Sequence, residues 1–179
     1  MIFKTEDEVR AAIVKRAESW IGSKENDGSH KPIIDLYNSY TPLPVGYKMK
    51  YTDPWCAAFG SVVAIEENFT DIIPPECSCS RQIALFKKLN CWVEDDKYIP
   101  KPADYIYYDW QDSGIGDNIG DPDHVGIVVS NTNNTIKVIE GNIRDSVGYR
   151  YININGKYIR GYGTPNYASK VTKEEEKPS

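Results

Sequence analysis

The stretch HVGIVVSNTNNTIKVIEGN, residues 124–142, predicts a β-hairpin. Two runs rich in Val, Ile and Thr flank NTNN at residues 131–134, and a short Asn-rich segment between β-branched runs is typical of a tight turn. Similar short runs separated by turn residues continue from about residue 104, namely DYIYYDW, GYRYINI and KYIRGYG. The C-terminal part of the chain is therefore predicted to form an antiparallel β-sheet.

The N-terminal half has the periodicity of helices. In KTEDEVRAAIVKRAESWIG, residues 4–22, Thr5 and Glu8 have capping-box spacing and an apolar stripe at helical spacing ends at Trp20. PIIDLYNSY, WCAAFGSVVAIEEN and SRQIALFKKLN indicate three further helices, and the second is apolar on most sides and hence buried. Helices followed by strands predict an α+β fold, with the helices packed on one side of the sheet.

Length, charge and composition limit the classes of protein that the chain can represent. Its 179 residues suffice for one domain, and a net charge of -5 argues against a nucleic-acid or anionic-membrane partner. No apolar run reaches the roughly 18–20 residues of a membrane span, so we expect no membrane insertion. The N-terminus MIFKTEDEVR lacks the basic and apolar regions of a signal peptide. The four cysteines are too few for a disulfide scaffold and are expected to be reduced.

The last twelve residues, ASKVTKEEEKPS, are charged and offer little to bury. We therefore expect a folded domain over residues 1–167 and a disordered tail or linker over residues 168–179.

One cysteine has the sequence setting of a nucleophile. In DPWCAAFG, Asp53 is a good N-cap and Pro54 a good first helical residue, so Cys56 is predicted to lie in the first turn of the buried helix. The helix dipole and the free N–H groups there lower the pKa of a thiol, and the thiolate is the reactive form. A capping carboxylate would oppose ionisation, so we expect Asp53 to turn elsewhere. The alternative is a buried core cysteine without chemistry.

A cysteine nucleophile needs a base, and the chain has two histidines. His30 lies in the polar segment NDGSHKP and is predicted to be a solvated surface residue. His124 opens the hairpin, and pairing about the predicted turn places it opposite residues 141–143, flanked on one face by Glu140 and Asn142. Either side chain could fix the tautomer of the imidazole, which is the third role beside a nucleophile and its base. The alternative for His124 is a polar residue at a strand end.

Together, PWCAAFGSVVA, PKPADYIYYDW, DPDHVGIVV and TIKVIEGN resemble a CHAP domain, a cysteine, histidine-dependent amidohydrolase/peptidase related to the NlpC/P60 group. The resemblance covers roughly residues 5–167 and implies a papain-like core. It implies that Cys56 is the nucleophile, that His124 is the base and then the acid, and that Glu140 is the usual third residue, shared with or supported by Asn142. The sequence departs from the family at Ala103, where KPGD is usual, so we expect an altered turn there.

The resemblance implies hydrolysis of peptidoglycan, either between N-acetylmuramic acid and L-alanine or within the stem or cross-bridge peptide, by an enzyme of the phage endolysin type. We expect a monomer held in the host cytoplasm until lysis, or an excised domain of a larger exported protein. A backbone N–H at the helix start is expected to bind the oxyanion. Tyr51 is a second candidate donor or, with Trp55 and Asp53, part of a substrate groove. The alternatives are a catalytically silent module that binds wall peptides or a partner, and an amidase of the same fold acting on a non-wall amide.

No cofactor is expected. Cys77, Cys79 and Cys91 could supply three thiolates for zinc, but the spacing of the first two and the lack of an evident fourth ligand favour structural thiols. The acidic segment DSGIGDNIGDPD, residues 112–123, could bind calcium, but it lacks the bidentate Glu and the ligand spacing of an EF-hand loop. A solvated turn is therefore favoured over a calcium site.

Overall fold

A computed structural model describes residues 1–112, 119–154 and 157–173 of the chain. Within these residues four α-helices and a six-stranded antiparallel sheet form an α+β fold, as predicted. The helices are α1 (Glu6–Glu18), α2 (Lys31–Ser39), α3 (Cys56–Glu66) and α4 (Cys79–Lys88). The strands are β1 (Trp92–Val93), β2 (Tyr105–Tyr108), β3 (His124–Thr132), β4 (Thr135–Ile143), β5 (Ser146–Asn153) and β6 (Ile159–Gly163), in the spatial order β1-β6-β2-β3-β4-β5. In the described part of the chain, no helix is long and apolar enough to cross a membrane.

The first helix begins where the sequence predicts. The Thr5 hydroxyl accepts a hydrogen bond from the Glu8 amide at 3.2 Å, which satisfies one of the N–H groups that a helix start leaves unpaired. Val9, Ile13 and Ala17 are fully buried, so the predicted apolar stripe faces the core.

The hairpin formed by β3 and β4 has the predicted register. Ile127 pairs with Ile139 and Thr132 with Thr135, and the register shifts once between Val128 and Ser130. The turn residues 133 and 134 are asparagines with φ of 50° and 62°, a left-handed conformation that Asn tolerates better than most residues.

The helices cover one face of the sheet, as predicted. The core against them includes Tyr105, Tyr107 and Ile139, whereas Ile106 and Tyr108 belong to a second apolar cluster, as alternation along a strand requires. The β4 backbone comes close to α3 at Gly141, where a Cβ atom would lie 2.4 Å from the Cβ of Phe59. A larger residue at this position would push β4 away from α3.

The folded part of the chain extends beyond the predicted boundary at residue 167. Residues Tyr167–Lys170 form a 3₁₀ helix, and the Tyr167 hydroxyl donates to the Ala103 carbonyl at 2.7 Å. The Thr172 amide donates to the Phe3 carbonyl at 2.8 Å, so this segment is held against the N-terminus. The prediction that disorder begins at residue 168 is therefore wrong. The rest of the predicted tail, from residue 174, lies outside the described residues.

Candidate active site

Cys56 is the first residue of α3, directly at the helix N-terminus. The cap differs from the prediction: Trp55 holds the N-cap position without a side-chain cap, and Pro54 precedes the helix. The Asp53 carboxylate instead accepts hydrogen bonds from the Lys50 amide at 2.8 Å and the Tyr47 hydroxyl at 2.7 Å. Asp53 is therefore not the N-cap residue, contrary to the prediction. Its carboxylate turns away from the start of α3, as expected. The Cys56 amide remains at the positive end of the helix dipole.

The imidazole of His124 connects Cys56 to Glu140. Its Nε2 atom lies 2.7 Å from Oε1 of Glu140, and Cys56 is the other side chain whose interaction raises the pKa of the ring. Because Glu140 occupies Nε2, the nitrogen available to the sulfur is Nδ1. Asn142 has a φ of 59° where the register of β4 shifts, and it lines a cavity together with His124. The hairpin thus brings Glu140, rather than Asn142, to the far side of the imidazole.

Glu140 is fully buried, and three side chains satisfy its carboxylate. Arg150 Nε lies 3.0 Å from Oε1 and 2.7 Å from Oε2, and the Tyr108 hydroxyl donates to Oε2 at 3.2 Å. With His124 as the third partner, the buried charge is paired and hydrogen-bonded, which is the condition for keeping it in the interior. These contacts fix the position of the carboxylate, which in turn orients the imidazole of His124.

Sequence reasoning did not find Arg150 or Tyr108. Glu140 pairs with Gly148 across β4 and β5, which makes Arg150 its diagonal neighbour on the same face. A register for this second hairpin would have identified Arg150, but the sequence reasoning did not extend to that pairing. Tyr108 pairs with His124 across β2 and β3, a contact between strands that the acidic segment separates.

The protonation of the site follows from these contacts. Burial lowers the pKa of His124, but the hydrogen bonds to Cys56 and Glu140 outweigh it and raise the pKa to about 9. The pKa of Cys56 is well below its ordinary value, chiefly because Cys79 hydrogen bonds its sulfur and secondly because His124 does so, against the opposing effect of burial. Both directions favour a thiolate at Cys56 beside an imidazolium at His124.

Gly126 provides the space that Glu140 occupies. A Cβ atom at residue 126 would lie 2.4 Å from Cγ1 of Val138 and 2.6 Å from Cγ of Glu140. The glycine in HVGIV is therefore required at this position, since it leaves room on β3 for the side chain of Glu140.

An aromatic and cationic surface adjoins His124. Trp110 stacks on Tyr108 with ring centroids 4.7 Å apart, and the Arg150 guanidinium lies 4.8 Å from the Trp110 centroid. A cavity of about 740 Å³ opens here, and its lining includes Trp110, His124, Asn142, Arg144, Tyr149 and Arg150. Its described lining residues contain two arginines and no carboxylate, in a chain whose net charge is -5. The cavity therefore favours an anionic or strongly polar ligand.

Three residues considered from the sequence have other roles. The Tyr51 hydroxyl donates to Oδ1 of Asp35 at 2.7 Å, so its proton is engaged and is not free to stabilise an oxyanion. Trp55 has no exposed surface, and its indole N–H donates to Glu25 at 2.9 Å, so its assignment to a groove wall is wrong. His30 is 4% exposed and its Nε2 contacts the Tyr51 carbonyl at 3.0 Å, so its assignment as a solvated residue is also wrong.

The metal interpretations have no support from side-chain geometry. Within residues 1–112, 119–154 and 157–173, no three His, Cys, Asp or Glu side chains are arranged to bind a metal ion. Cys79 lies against Cys56, whereas the Cys91 thiol donates to the Leu89 carbonyl at 3.2 Å. Half of the acidic segment considered for calcium, residues 113–118, lies outside the described residues.

Comparison with known proteins does not assign the chain to a family. No model of a protein family matches it, and no curated protein or solved structure is similar to it. The functional argument therefore depends on the geometry of the site itself.

Proposed function

We propose that the chain is a cysteine-dependent amidase or endopeptidase of the CHAP type, with a papain-like core, that hydrolyses an amide bond of peptidoglycan. The observation that carries the proposal is the buried pair of His124 and Glu140, 2.7 Å apart, together with a sulfur at a helix N-terminus whose pKa His124 helps to lower. A nucleophile, a base and an orienting carboxylate in that order constitute the machinery of acyl transfer.

The proposed reaction starts from the thiolate–imidazolium pair. The Cys56 thiolate attacks the amide carbonyl, and backbone N–H groups at the start of α3 hold the resulting oxyanion. His124 gives its proton to the leaving amine as the C–N bond breaks, which leaves a thioester on Cys56. The neutral imidazole then takes a proton from water, whose oxygen attacks the thioester carbonyl. The acid product leaves, and the thiolate and imidazolium are restored.

The cavity beside His124 supports a peptidoglycan substrate. Stem peptides carry carboxylates, which Arg144 attracts, and the glycan offers faces of the kind that stack on an aromatic ring such as Trp110. An enzyme of the endolysin type, released onto the wall at lysis, is the version of this proposal that the sequence resemblance favours.

The test is the release of new amino groups from purified walls. Walls from several bacteria are incubated with the wild type, with Cys56→Ala and with Cys91→Ala, and the fragments are identified by mass spectrometry. We expect release by the wild type and by Cys91→Ala, the matched thiol control, and none by Cys56→Ala. The mass of the fragments identifies the bond.

Two other results separate the alternatives. If the wild type binds walls but releases nothing, the silent binding module is supported and the hydrolase proposal fails. If it releases nothing from walls but hydrolyses small peptide amides in a Cys56-dependent manner, an amidase with a non-wall substrate is supported. Release that survives Cys56→Ala would contradict the assignment of the nucleophile.

A further inference from the structure

A second thiol lies against the proposed nucleophile. The Sγ atoms of Cys56 and Cys79 are 4.0 Å apart, and the two residues are 7% and 9% exposed. Cys56 is the first residue of α3 and Cys79 is the first residue of α4. Two helix N-termini therefore converge on one pair of sulfurs, although the cysteines are separated by 22 residues of sequence. The mechanism proposed above uses only one of them in bond making.

Hydrogen bonds fix the position of α4 against α3. The Ser61 hydroxyl on α3 donates to the Glu76 carbonyl at 2.8 Å and accepts from the Glu76 amide at 2.9 Å. On α4, the Gln82 side chain donates to the Pro74 carbonyl at 2.9 Å and accepts from the Tyr107 hydroxyl at 2.7 Å. These buried contacts hold the segment before Cys79 to both α3 and the sheet. The proximity of the two sulfurs is thus built into the core.

The two thiols have opposite tendencies to ionise. The pKa of Cys79 is well above its ordinary value, because the hydrogen bond to the Cys56 thiolate favours the protonated form and burial adds to this effect. Either sulfur could donate across the 4.0 Å contact, and His124, which lowers the pKa of Cys56, favours Cys56 as the thiolate and Cys79 as the protonated partner. A reactive thiolate beside a protonated thiol is the arrangement in which the first sulfur is oxidised and the second resolves the product.

We propose that Cys56 and Cys79 form a modification site that a hydroperoxide converts to a reversible disulfide. The Cys56 thiolate attacks a peroxide oxygen, the S–O bond forms as the O–O bond breaks, and the hydroxide that leaves is protonated to water. The Cys79 sulfur then attacks the sulfenic sulfur, the S–S bond forms as the S–O bond breaks, and the departing hydroxide takes the Cys79 proton. Two thiols are oxidised and one hydrogen peroxide is reduced to two waters. Rotation of the two side chains must shorten the sulfur separation by about 2 Å to reach a disulfide.

The experiment treats the full chain with hydrogen peroxide and maps its peptides without reduction. We expect a cross-link between the Cys56 peptide and Cys79 that dithiothreitol reverses, also in Cys77→Ser and Cys91→Ser. In Cys79→Ser we expect no cross-link to Cys56, and oxidation of Cys56 to the sulfinic acid, which dithiothreitol does not reverse. The wild-type map alone decides whether the disulfide forms, even if Cys79→Ser does not fold.

Two results would overturn the proposal. One is oxidised wild type with Cys56 as a sulfinic or sulfonic acid beside an intact Cys79 thiol, and the other is a cross-link from Cys56 to Cys77 or Cys91 instead. Peroxide should also abolish wall lysis and dithiothreitol should restore it, because the disulfide blocks the Cys56 sulfur. This second expectation rests on the proposed function, but the cross-link does not. If reduced protein never lyses walls while the cross-link forms, only the proposed function fails.

Discussion

Replacing Glu140 with Gln tests the role of the buried carboxylate. Gln keeps the size of the side chain and one oxygen for His124, but it removes the negative charge that faces the imidazole and Arg150. We expect kcat/KM for wall hydrolysis to fall roughly 10²–10⁴-fold, as happens when the carboxylate of a nucleophile–base–acid triad becomes an amide.

The effect on pH dependence follows from the same contact. The pKa of His124 is about 9, against an ordinary value of 6.5, and the hydrogen bonds to Cys56 and Glu140 are the two leading causes of the increase. One pKa unit corresponds to about 1.4 kcal/mol, so the net stabilisation of the imidazolium, after the opposing effect of burial, is roughly 3 kcal/mol. If the carboxylate supplies about half of this, its loss lowers the pKa of His124 by about one unit. The alkaline limb of the activity profile should move from near pH 9 toward pH 8.

The assay is initial-rate wall hydrolysis between pH 5 and pH 10, with the folded fraction of each variant checked by thermal unfolding. Asp104→Asn is the matched control, because Asp104 is also fully buried and paired with an arginine, Arg10, but lies beyond the end of β2 opposite to His124. We expect this control to lose stability and to keep the pH profile. A Glu140→Gln variant with an unshifted alkaline limb and a rate within threefold of the wild type would refute the orienting role.

Three further predictions follow from the site. Gly126→Ala should lower the free energy of unfolding in urea by about 1–3 kcal/mol, because its Cβ would lie 2.6 Å from Cγ of Glu140; an unchanged midpoint would contradict the packing argument. Arg144→Ala should raise KM for anionic wall fragments roughly tenfold with little change in kcat, whereas Arg144→Lys should keep most of the affinity; equal losses in both variants would argue against a charge interaction. With increasing pH, the wild-type rate should rise as Cys56 ionises, at a pKa well below its ordinary value, and should fall near pH 9 as His124 loses its proton. A rate that still rises up to pH 10 would contradict the thiolate–imidazolium pair.

The register of the first hairpin could be predicted because it depends on local signals. Side-chain alternation has a period of two residues, and the Asn-rich turn fixes its phase, so His124 and Glu140 could be placed together from the sequence alone. The same reasoning left Glu140 and Asn142 as equal candidates. The structure distinguishes the two candidates. Asn142 has a left-handed backbone where the register of β4 shifts, whereas Glu140 hydrogen bonds His124.

The parts that could not be predicted depend on contacts distant in sequence. His30 is surrounded by polar residues in the chain, yet it is buried beside the ring of Trp55, with centroids 5.7 Å apart. Asp53 differs from His30, because its two possible interactions, capping α3 or binding the Lys50 amide and the Tyr47 hydroxyl, are both local. The structure has the second, which offers two donors. The position of Cys79 beside Cys56 depends on how α4 packs against α3, which helical periodicity does not specify.

The turn at Ala103 has a backbone conformation that is unusual for alanine. Ala103 has a φ of 70°, the left-handed conformation that glycine adopts most easily. Its amide donates to the Val128 carbonyl and its own carbonyl accepts from Tyr167, both at 2.7 Å. The surrounding hydrogen bonds therefore hold the alanine in this conformation before β2.

The most direct test of the central claim measures the ionisation of Cys56 without any substrate. The rate of alkylation of Cys56 by iodoacetamide is followed from pH 4 to pH 10, with the labelled peptide quantified by mass spectrometry, in the wild type and in His124→Ala. The ion pair predicts a wild-type midpoint well below the ordinary thiol value of 9.0 and a midpoint that moves upward in His124→Ala. A wild-type midpoint near 9, unchanged by the loss of His124, would contradict the assignment of Cys56 as the activated nucleophile.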